Sequence, residues 1–284
     1  MKTASVKVLS VIVACTIFLF SGCARKGSPQ YLSSQEKKWN KLSSEVVSFY
    51  RKGHYKESFN TAEKALKLAR ESFGPESTKV AASLNNLAEL YRSSGKYEAA
   101  EPLYIQAIKI DEKVLGKDHP DLAKDLSNLA VLYRMTGKYT EAEKLCKQAL
   151  EIREKTLGKD DLDVAISLNN LAIVYRMEGK NTEAKTILER ALSIRENKLG
   201  KEHPDVAISL NNLAELLKVQ GQYTEAEPLF MRSLSIMEKT LGKNHPNVAV
   251  VYQNLAELYE ETGKKQEALK YKEQVVKILS FNKK

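Results

Sequence analysis

Hydrophobic positions in residues 84–115 follow the period of an α-helix, with one interruption. The first apolar stripe has members three or four positions apart, which places them on one helix face: Leu84, Leu87, Ala88 and Tyr91. Gly95 then breaks the pattern and can adopt the left-handed conformation that ends many helices. A second amphipathic stretch runs from Tyr97 to about Leu115. The pattern therefore predicts two helices joined by a tight turn.

This two-helix pattern returns every 42 residues along most of the chain. A short motif with a central Asn followed by Leu-Ala begins at positions 84, 126, 168, 210 and 252, and a degenerate copy has Leu42 in register. A fixed period of this size indicates a solenoid, in which each unit buries its apolar face against its neighbours. The predicted units are residues 35–76, 77–118, 119–160, 161–202, 203–244 and 245–284.

The repeated unit resembles the tetratricopeptide repeat, a helical hairpin with a large residue, Leu, a small residue and Tyr at fixed spacing. These positions, and the small and aromatic ones that follow, are filled here by Leu84, Leu87, Ala88, Tyr91, Ala100, Tyr104 and Ala107. The usual period is about 34 residues, and the longer period here closely resembles the repeats of kinesin light chains and related bacterial proteins. The resemblance implies an all-α fold, a right-handed superhelical solenoid of about six helix-turn-helix repeats.

In tetratricopeptide proteins, the face opposite the apolar stripe of each first helix lines a concave groove in which peptides dock. An asparagine recurs on this face in five consecutive units: Asn86, Asn128, Asn170, Asn212 and Asn254. Asn in a helix interior lowers helix stability by up to about 0.7 kcal/mol relative to Ala, so its recurrence indicates a specific role. Two interpretations stand side by side. The amides bind the backbone of a peptide, as this face does in kinesin light chains, or each amide bonds the neighbouring repeat and fixes the stacking.

Six positions after the asparagine, four consecutive units carry a basic residue: Arg92, Arg134, Arg176 and Lys218. The fifth unit carries Glu260 instead. Cations along one groove edge favour a partner with acidic side chains or a free carboxylate, because Arg can bind a carboxylate with two parallel hydrogen bonds. The alternative is that they complement the negative C-terminal end of each first helix. Together with the asparagines, these residues are the predicted peptide-binding groove.

The first 22 residues predict an export signal rather than part of the fold. Two lysines precede an apolar run, residues 8–20, which is shorter than the roughly 20 residues of a membrane-spanning helix. Small residues then precede Cys23, an arrangement that resembles the bacterial lipoprotein signal. The resemblance implies lipid on Cys23, a flexible tether over residues 23–34 and, because Ala24 follows the cysteine, an outer-membrane anchor facing the periplasm. An ordinary secretory signal with an incidental cysteine is the alternative.

Composition and charge narrow the function classes further. The 284 residues include 45 basic and 36 acidic side chains, for a formal net charge of +9, but only 4 His and 3 Cys. Charges of both signs are interleaved, which is typical of a solvated helical surface, so a nucleic-acid partner is not predicted. The loop histidines are predicted helix caps, and Cys146 is predicted to face the core. The sequence holds no familiar catalytic or phosphate-binding motif, so no enzymatic activity, metal or cofactor is predicted.

The predicted function is therefore that of an envelope-anchored adaptor, which binds a protein or peptide in its groove. The alternative is a structural scaffold of the cell envelope that uses its convex face or the ends of the repeat array. Terminal units lack one neighbour, and Lys272 replaces the core aromatic residue in the last helix. We therefore expect a more polar outer face at both ends.

Overall fold

The computed structural model describes residues 27–281, and the predicted export signal with Cys23 lies outside them. The described chain is all-helical and forms six helix-turn-helix units, which confirms the predicted fold class. None of its helices is both long and apolar enough to cross a membrane. The helices are α1 (Pro29–Arg51), α2 (Tyr55–Phe73), α3 (Thr78–Ser93), α4 (Tyr97–Leu115), α5 (Pro120–Met135), α6 (Tyr139–Leu157), α7 (Leu162–Met177), α8 (Asn181–Leu199), α9 (Pro204–Val219), α10 (Tyr223–Leu241), α11 (Pro246–Glu261) and α12 (Lys265–Phe281).

The boundaries of the units are set by local capping chemistry. The Nδ1 atoms of His119, His203 and His245 accept hydrogen bonds from the backbone N–H two residues later, at 3.1–3.2 Å. Asp161 accepts the equivalent bond with its carboxylate at 2.8 Å. Each bond satisfies a backbone donor that has no partner within the first turn of a helix. The predicted capping role of the histidines is confirmed. At the other end of a unit, Gly116 has a φ of 88°, a conformation that favours glycine.

Small residues let the two helices of a unit approach closely. The second helix of five consecutive units buries an alanine with at most 2% exposure: Ala100, Ala142, Ala184, Ala226 and Ala268. One turn later comes a larger buried side chain: Tyr104, Cys146, Leu188 or Phe230. Cys146 thus faces the core as predicted, and burial raises the pKa of its thiol to about 12. Truncation of such a core residue, for example Phe230→Ala, should cost about 3–5 kcal/mol.

The stack of units curves toward the odd-numbered helices. Along the array, α1 contacts α3, α3 contacts α5, α5 contacts α7, and α9 contacts α11. Among the described residues, no pair of even-numbered helices makes a comparable contact. The odd-numbered helices are therefore the inner layer, and their free face is the concave side of the solenoid.

Neighbouring units are also joined by polar contacts on the even-numbered helices. Glu101 of α4 accepts hydrogen bonds from the Tyr133 hydroxyl at 3.0 Å and from Lys138 Nζ at 3.0 Å, both in the next unit. Three units along, Glu227 of α10 accepts from Tyr259 at 2.8 Å and from Lys264 at 3.1 Å. The tyrosine bond, reinforced by the lysine, holds the pKa of Glu227 below its usual range despite partial burial. These contacts fix the register of one unit on the next.

Two sequence-based expectations are wrong at the ends of the array. Helix α1 begins at Pro29, where the Ser28 hydroxyl accepts a hydrogen bond from Tyr31 N–H, so residues 29–34 are helical rather than part of a flexible tether. A proline at the first helical position and a serine cap together start the helix early. At the other end, Lys272 is exposed as expected and pairs with Glu260. The same face of α12, however, exposes three apolar residues, Leu269, Val276 and Leu279.

Candidate functional site

The concave groove is the free surface of the first helices of units two to six, α3, α5, α7, α9 and α11. All nine residues predicted for the groove lie on these helices. The asparagines lie in the middle of each helix, and the basic residues lie in its last turn. Both sets therefore lie on the helices of the inner layer. The predicted placement of the groove is therefore consistent with the fold, and its contacts decide which side chains are free to bind.

The asparagine ladder is divided into a bonded part and a free part. Asn212 Nδ2 donates to Asn169 Oδ1 of the preceding unit at 2.6 Å, and Asn254 Nδ2 donates to Asn211 Oδ1 at 2.9 Å. These two amides stabilise the stacking of the C-terminal units. Within the described part of the chain, three asparagines make no side-chain hydrogen bond: Asn86, Asn128 and Asn170. The stacking interpretation therefore holds for two positions, and the other three remain available to a ligand.

Three of the four basic residues are neutralised by carboxylates of the inner layer. Arg176 Nη1 lies 2.6 Å from Glu215 Oε1, and Lys218 Nζ lies 2.6 Å from Glu257 Oε2, each in the next unit. Arg92 pairs with Glu89 on its own helix. The three glutamates occupy one repeat position: Glu89, Glu215 and Glu257. Three of the four cations that the sequence predicts to be available are therefore already paired with glutamates of the solenoid.

Glu89 belongs to a small network at the N-terminal end of the groove. The Tyr104 hydroxyl donates to Glu89 Oε2 at 2.9 Å, and Arg92 Nε donates to the same oxygen at 3.0 Å. Burial alone would raise the pKa of Glu89, but the bonds from Arg92 and Tyr104 outweigh it and hold that pKa below its usual range. Burial and the adjacent carboxylate raise the pKa of Tyr104. The hydroxyl of the buried Tyr104 thus helps to hold the Arg92–Glu89 ion pair in place.

Arg134 differs from the other three cations. Units three and four carry Val131 and Ile173 at the repeat position that elsewhere holds a glutamate. As a result, no carboxylate of the described residues pairs with Arg134. Its partial burial is the main cause that lowers its pKa, and the neighbouring charges of Arg92 and Arg176 lower it further. An anion beside Arg134 would relieve both effects.

A small cavity adjoins the Arg134 side chain. Its volume is about 150 Å³, and it is lined by Arg134, Ala172, Ile173, Arg176, Leu188, Asn212 and Glu215. The apolar part of this wall would exclude water around an ion pair, and the guanidinium can bind a carboxylate with two parallel hydrogen bonds. The arrangement fits one acidic side chain or a terminal carboxylate. The sequence signal for this site is one repeat position at which Val131 and Ile173 replace the Glu of units two, five and six.

No group of three or more His, Cys, Asp or Glu side chains in residues 27–281 could hold a metal ion. The groove thus presents three free amides, and of its four predicted basic residues three are paired and Arg134 is not. This is the chemistry of a binding surface, in which polar groups fix the orientation of an extended or helical ligand.

A family model described as tetratricopeptide repeat matches five overlapping stretches of the sequence: residues 46–113, 80–155, 126–197, 163–218 and 205–280. The chain belongs to the tetratricopeptide repeat family. Tetratricopeptide repeats generally mediate protein–protein interactions and are typically scaffolds without catalytic activity.

Solved structures of similar proteins agree with this assignment. A kinesin light chain protein of Podosopora anserina with nearly identical TPR-like repeats is 27% identical, with a TM-score of 0.61 over 72% of this chain and 96% of that chain. BtubC from P. vanneervenii is 24% identical, with a TM-score of 0.63 over 85% and 92%. A Rap protein complexed with competence and sporulation factor is 14% identical, with a TM-score of 0.60 over 88% and 78%. Among curated proteins, a search gives no match.

Proposed function

We propose that this tetratricopeptide protein is an adaptor that binds a segment of another protein in its concave groove and grips one acidic group at Arg134. The observation that carries the proposal is that Arg134 has no carboxylate partner among the described residues, whereas Arg92, Arg176 and Lys218 each have one. The free amide of Asn128 lies in the unit that contains Arg134, and the free amide of Asn170 lies in the next unit. They would hold the backbone of the bound segment on either side of the ion pair.

The energetic difference between the cations supports this choice of anchor. A ligand carboxylate at Arg176 or Lys218 would have to compete with a glutamate that is already bound. At Arg134 it would instead complete a charge-assisted bond, which is worth roughly 1.5–3 kcal/mol. The Rap structure named above was solved with competence and sporulation factor bound, which shows that a protein with this fold can hold a ligand.

Site-specific photo-crosslinking in the native membranes tests the groove. A crosslinking amino acid at position 131 would report partners in the groove, and one at position 144, which is exposed on α6, would report partners of the outer layer. We expect one crosslinked partner from position 131 that is lost when Arg134→Gln is added, whereas Lys144→Gln leaves it unchanged. A partner captured from position 131 with equal yield in both variants would reject Arg134 as the anchor.

We further propose that the chain is a lipoprotein, acylated at Cys23 and held at the envelope of a bacterium, on the periplasmic face of the outer membrane. The support is the arrangement of a short apolar run, small residues and cysteine in the sequence, since this segment lies outside the described residues. Several acyl chains would anchor the solenoid stably, whereas one binds only marginally. Cys23→Ser should release the protein from salt-washed membranes. If the variant still partitions with membranes, the lipoprotein proposal is wrong.

A scaffold function is the second candidate, and the exposed apolar stripe on α12 favours it. Leu269, Val276 and Leu279 are 60%, 66% and 55% exposed on one face at the end of the array. A subunit or envelope component could cover this face. Crosslinks from position 276 that persist in Arg134→Gln, with none from position 131, would establish the scaffold and exclude the groove adaptor.

A further inference from the structure

A buried acidic pair lies near the other edge of the groove, between units two and three. Asp111 of α4 and Asp125 of α5 are 5% and 3% exposed, and Asn85 of α3 is 9% exposed. The two carboxyl groups are hydrogen-bonding neighbours, and Asn85 Nδ2 donates to Asp125 Oδ1. Neither the adaptor function nor the repeat core requires acidic residues at these positions.

The equivalent positions in the next two units contain the chain's own cation. Arg153 stands where Asp111 does, and its Nη1 donates to Ser167 Oγ, the equivalent of Asp125, at 2.5 Å. One unit further, Arg195 Nη1 donates to Ser209 Oγ at 2.6 Å. Units three and four therefore place a guanidinium between the helices, and unit two replaces that cation with a second acceptor. The replacement leaves acceptors without donors.

Three buried oxygen atoms at this position have no hydrogen-bond partner among the described residues: Asn85 Oδ1, Asp111 Oδ1 and Asp125 Oδ2. A single proton shared by the two carboxyl groups would serve at most two of them. The three side chains line a cavity of about 440 Å³ whose wall also includes Asn86, Glu89 and Asn128 of the groove. Asn85 is bonded to the pair through its Nδ2, and its Oδ1 still lacks a donor.

Other charged groups near the pair do not supply this donor. Lys79 of α3 is bound to Glu36 of α1 at 2.7 Å. Lys124 and Asp121 of α5 line the cavity, and His119, just before α5, accepts a hydrogen bond from the Asp121 backbone. None of them bonds to the three unpartnered oxygen atoms. The cavity is therefore rich in acceptors, carries acidic groups and is open to the groove.

We infer that this cavity receives one cationic side chain, a guanidinium or an ammonium group, from the protein segment bound in the groove. This inference rests on the proposed function, because the occupant belongs to the groove's partner. A planar guanidinium carries several N–H donors, and Arg153 and Arg195 place one between the equivalent helices of the next two units, where each donates to a serine. The cation replaces the missing arginine of unit two.

The inference gives the groove a direction. Asp125 and Arg134 lie on the same helix, nine positions apart, which corresponds to about two and a half turns, so their side chains face opposite neighbouring units. The acidic cavity lies against α3 and α4, and the cavity beside Arg134 lies against α7. The partner segment should therefore carry its basic residue on the unit-two side of α5 and its acidic residue on the unit-four side. Burial raises the pKa of Asp125 to about 8, with Asp111 adding to the effect, so the bound cation would displace a proton.

The test uses a small probe, N-acetyl-arginine amide, and its neutral isostere, N-acetyl-citrulline amide, titrated into the full chain in detergent micelles. The readout is the NMR signal of the Asn85 side-chain amide. The critical variant is Asp111→Arg with Asp125→Ser, which installs the residues that units three and four already contain and should fold. The matched control, Glu151→Arg with Glu189→Ser, makes the same charge change at exposed positions on α6 and α8.

We expect saturable shifts of the Asn85 signal with the arginine probe, none with the citrulline probe, and roughly tenfold tighter binding at pH 8.5 than at pH 6.5. The signal should respond in the control and not in the critical variant. Equal shifts with both probes, or no saturation with arginine at pH 8.5, would overturn the inference and leave a carboxyl pair that only shares a proton. Neither probe carries an acidic group for Arg134, so the outcome of this titration is separable from that of the proposed function.

Discussion

Arg176 Nη1 lies 2.6 Å from Glu215 Oε1 of the next unit, so the solenoid supplies the carboxylate that this cation binds. At the preceding step, Arg134 stands at the position of Arg176, and Ile173 stands at the position of Glu215. The stack thus contains the Arg176–Glu215 ion pair and, one unit earlier, an arginine at the same repeat position without its glutamate. This difference is the basis of our proposal that Arg134 binds a carboxylate of the partner.

The bonded and free asparagines should respond differently to truncation. Asn212→Ala removes the hydrogen bond to Asn169, and we expect the free energy of unfolding to fall by about 1 kcal/mol. Asn128→Ala removes no bond within the described chain, so unfolding should change by less than about 0.5 kcal/mol. Urea denaturation of both variants beside wild type checks this. Equal losses of stability would show that Asn128 also fixes the stacking and is not free for a ligand.

Partner binding should show the opposite order for the same substitutions. Asn128→Ala and Asn170→Ala remove amides that we assign to the ligand backbone, so affinity should fall several-fold for each. Asn212→Ala should have a smaller effect, because one donor of its amide is already used inside the array. Affinities for the partner identified by crosslinking provide the measurement. A larger loss for Asn212→Ala than for Asn128→Ala would contradict the assignment.

The buried acidic pair predicts a characteristic pH dependence of stability. Burial first, and the neighbouring carboxyl second, raise the pKa of Asp125 from 3.8 to about 8. Between these values the folded chain binds more protons than the unfolded chain, so this contribution to stability is complete below pH 4 and is lost as pH rises toward 8. Asp111→Arg with Asp125→Ser should therefore reduce the loss of unfolding free energy between pH 5 and pH 8.5.

The matched variant Glu151→Arg with Glu189→Ser controls that comparison, because it changes the net charge equally at exposed positions. Its unfolding free energy should follow the wild-type pH dependence in urea titrations at the two pH values. Parallel curves for wild type, control and the Asp111 and Asp125 variant would show that the pair does not titrate in this range.

Salt should distinguish the two groups of cations. An ion pair between Arg134 and a ligand lies at the groove surface, so partner affinity should weaken as ionic strength rises. Arg134→Gln should reduce that dependence, whereas Lys218→Gln should retain it, because Lys218 is bound to Glu257 within the array. Binding isotherms at two salt concentrations for each protein test this. Identical salt dependence in wild type and Arg134→Gln would place the acidic contact elsewhere.

The repeat period was sufficient to predict the fold because each unit obeys the same packing and capping rules. The second helix of unit two, Tyr97–Leu115, and the cap at His119 follow from local spacing alone. The start of α1 did not, because Pro29 and Ser28 form a cap outside the periodic region. The outer face of α12 was also mispredicted, since nothing in a periodic pattern determines what a terminal helix exposes.

The site could be located from the sequence but not resolved into free and occupied groups. Whether Arg134 or Arg176 is available depends on a residue 39 positions later in the next unit, which a pattern within one unit does not contain. The same holds for Asp111 and Asp125, which depart from the residues of the following units. Positions that break the repeat are thus where pairwise contacts, rather than periodicity, decide the chemistry.

The most direct test of the account completes the missing ion pair. Ile173→Glu places a carboxylate at the position that Glu215 and Glu257 occupy in later units, where it should pair with Arg134. Val114→Glu adds the same charge at a position on the outer-layer helix α4 that is 48% exposed and serves as the control. The measurement is partner affinity, with thermal unfolding of each variant. We predict that Ile173→Glu weakens binding by about 1.5–3 kcal/mol with little change in melting temperature, while Val114→Glu binds as wild type does. Unchanged binding by a folded Ile173→Glu variant would contradict the account.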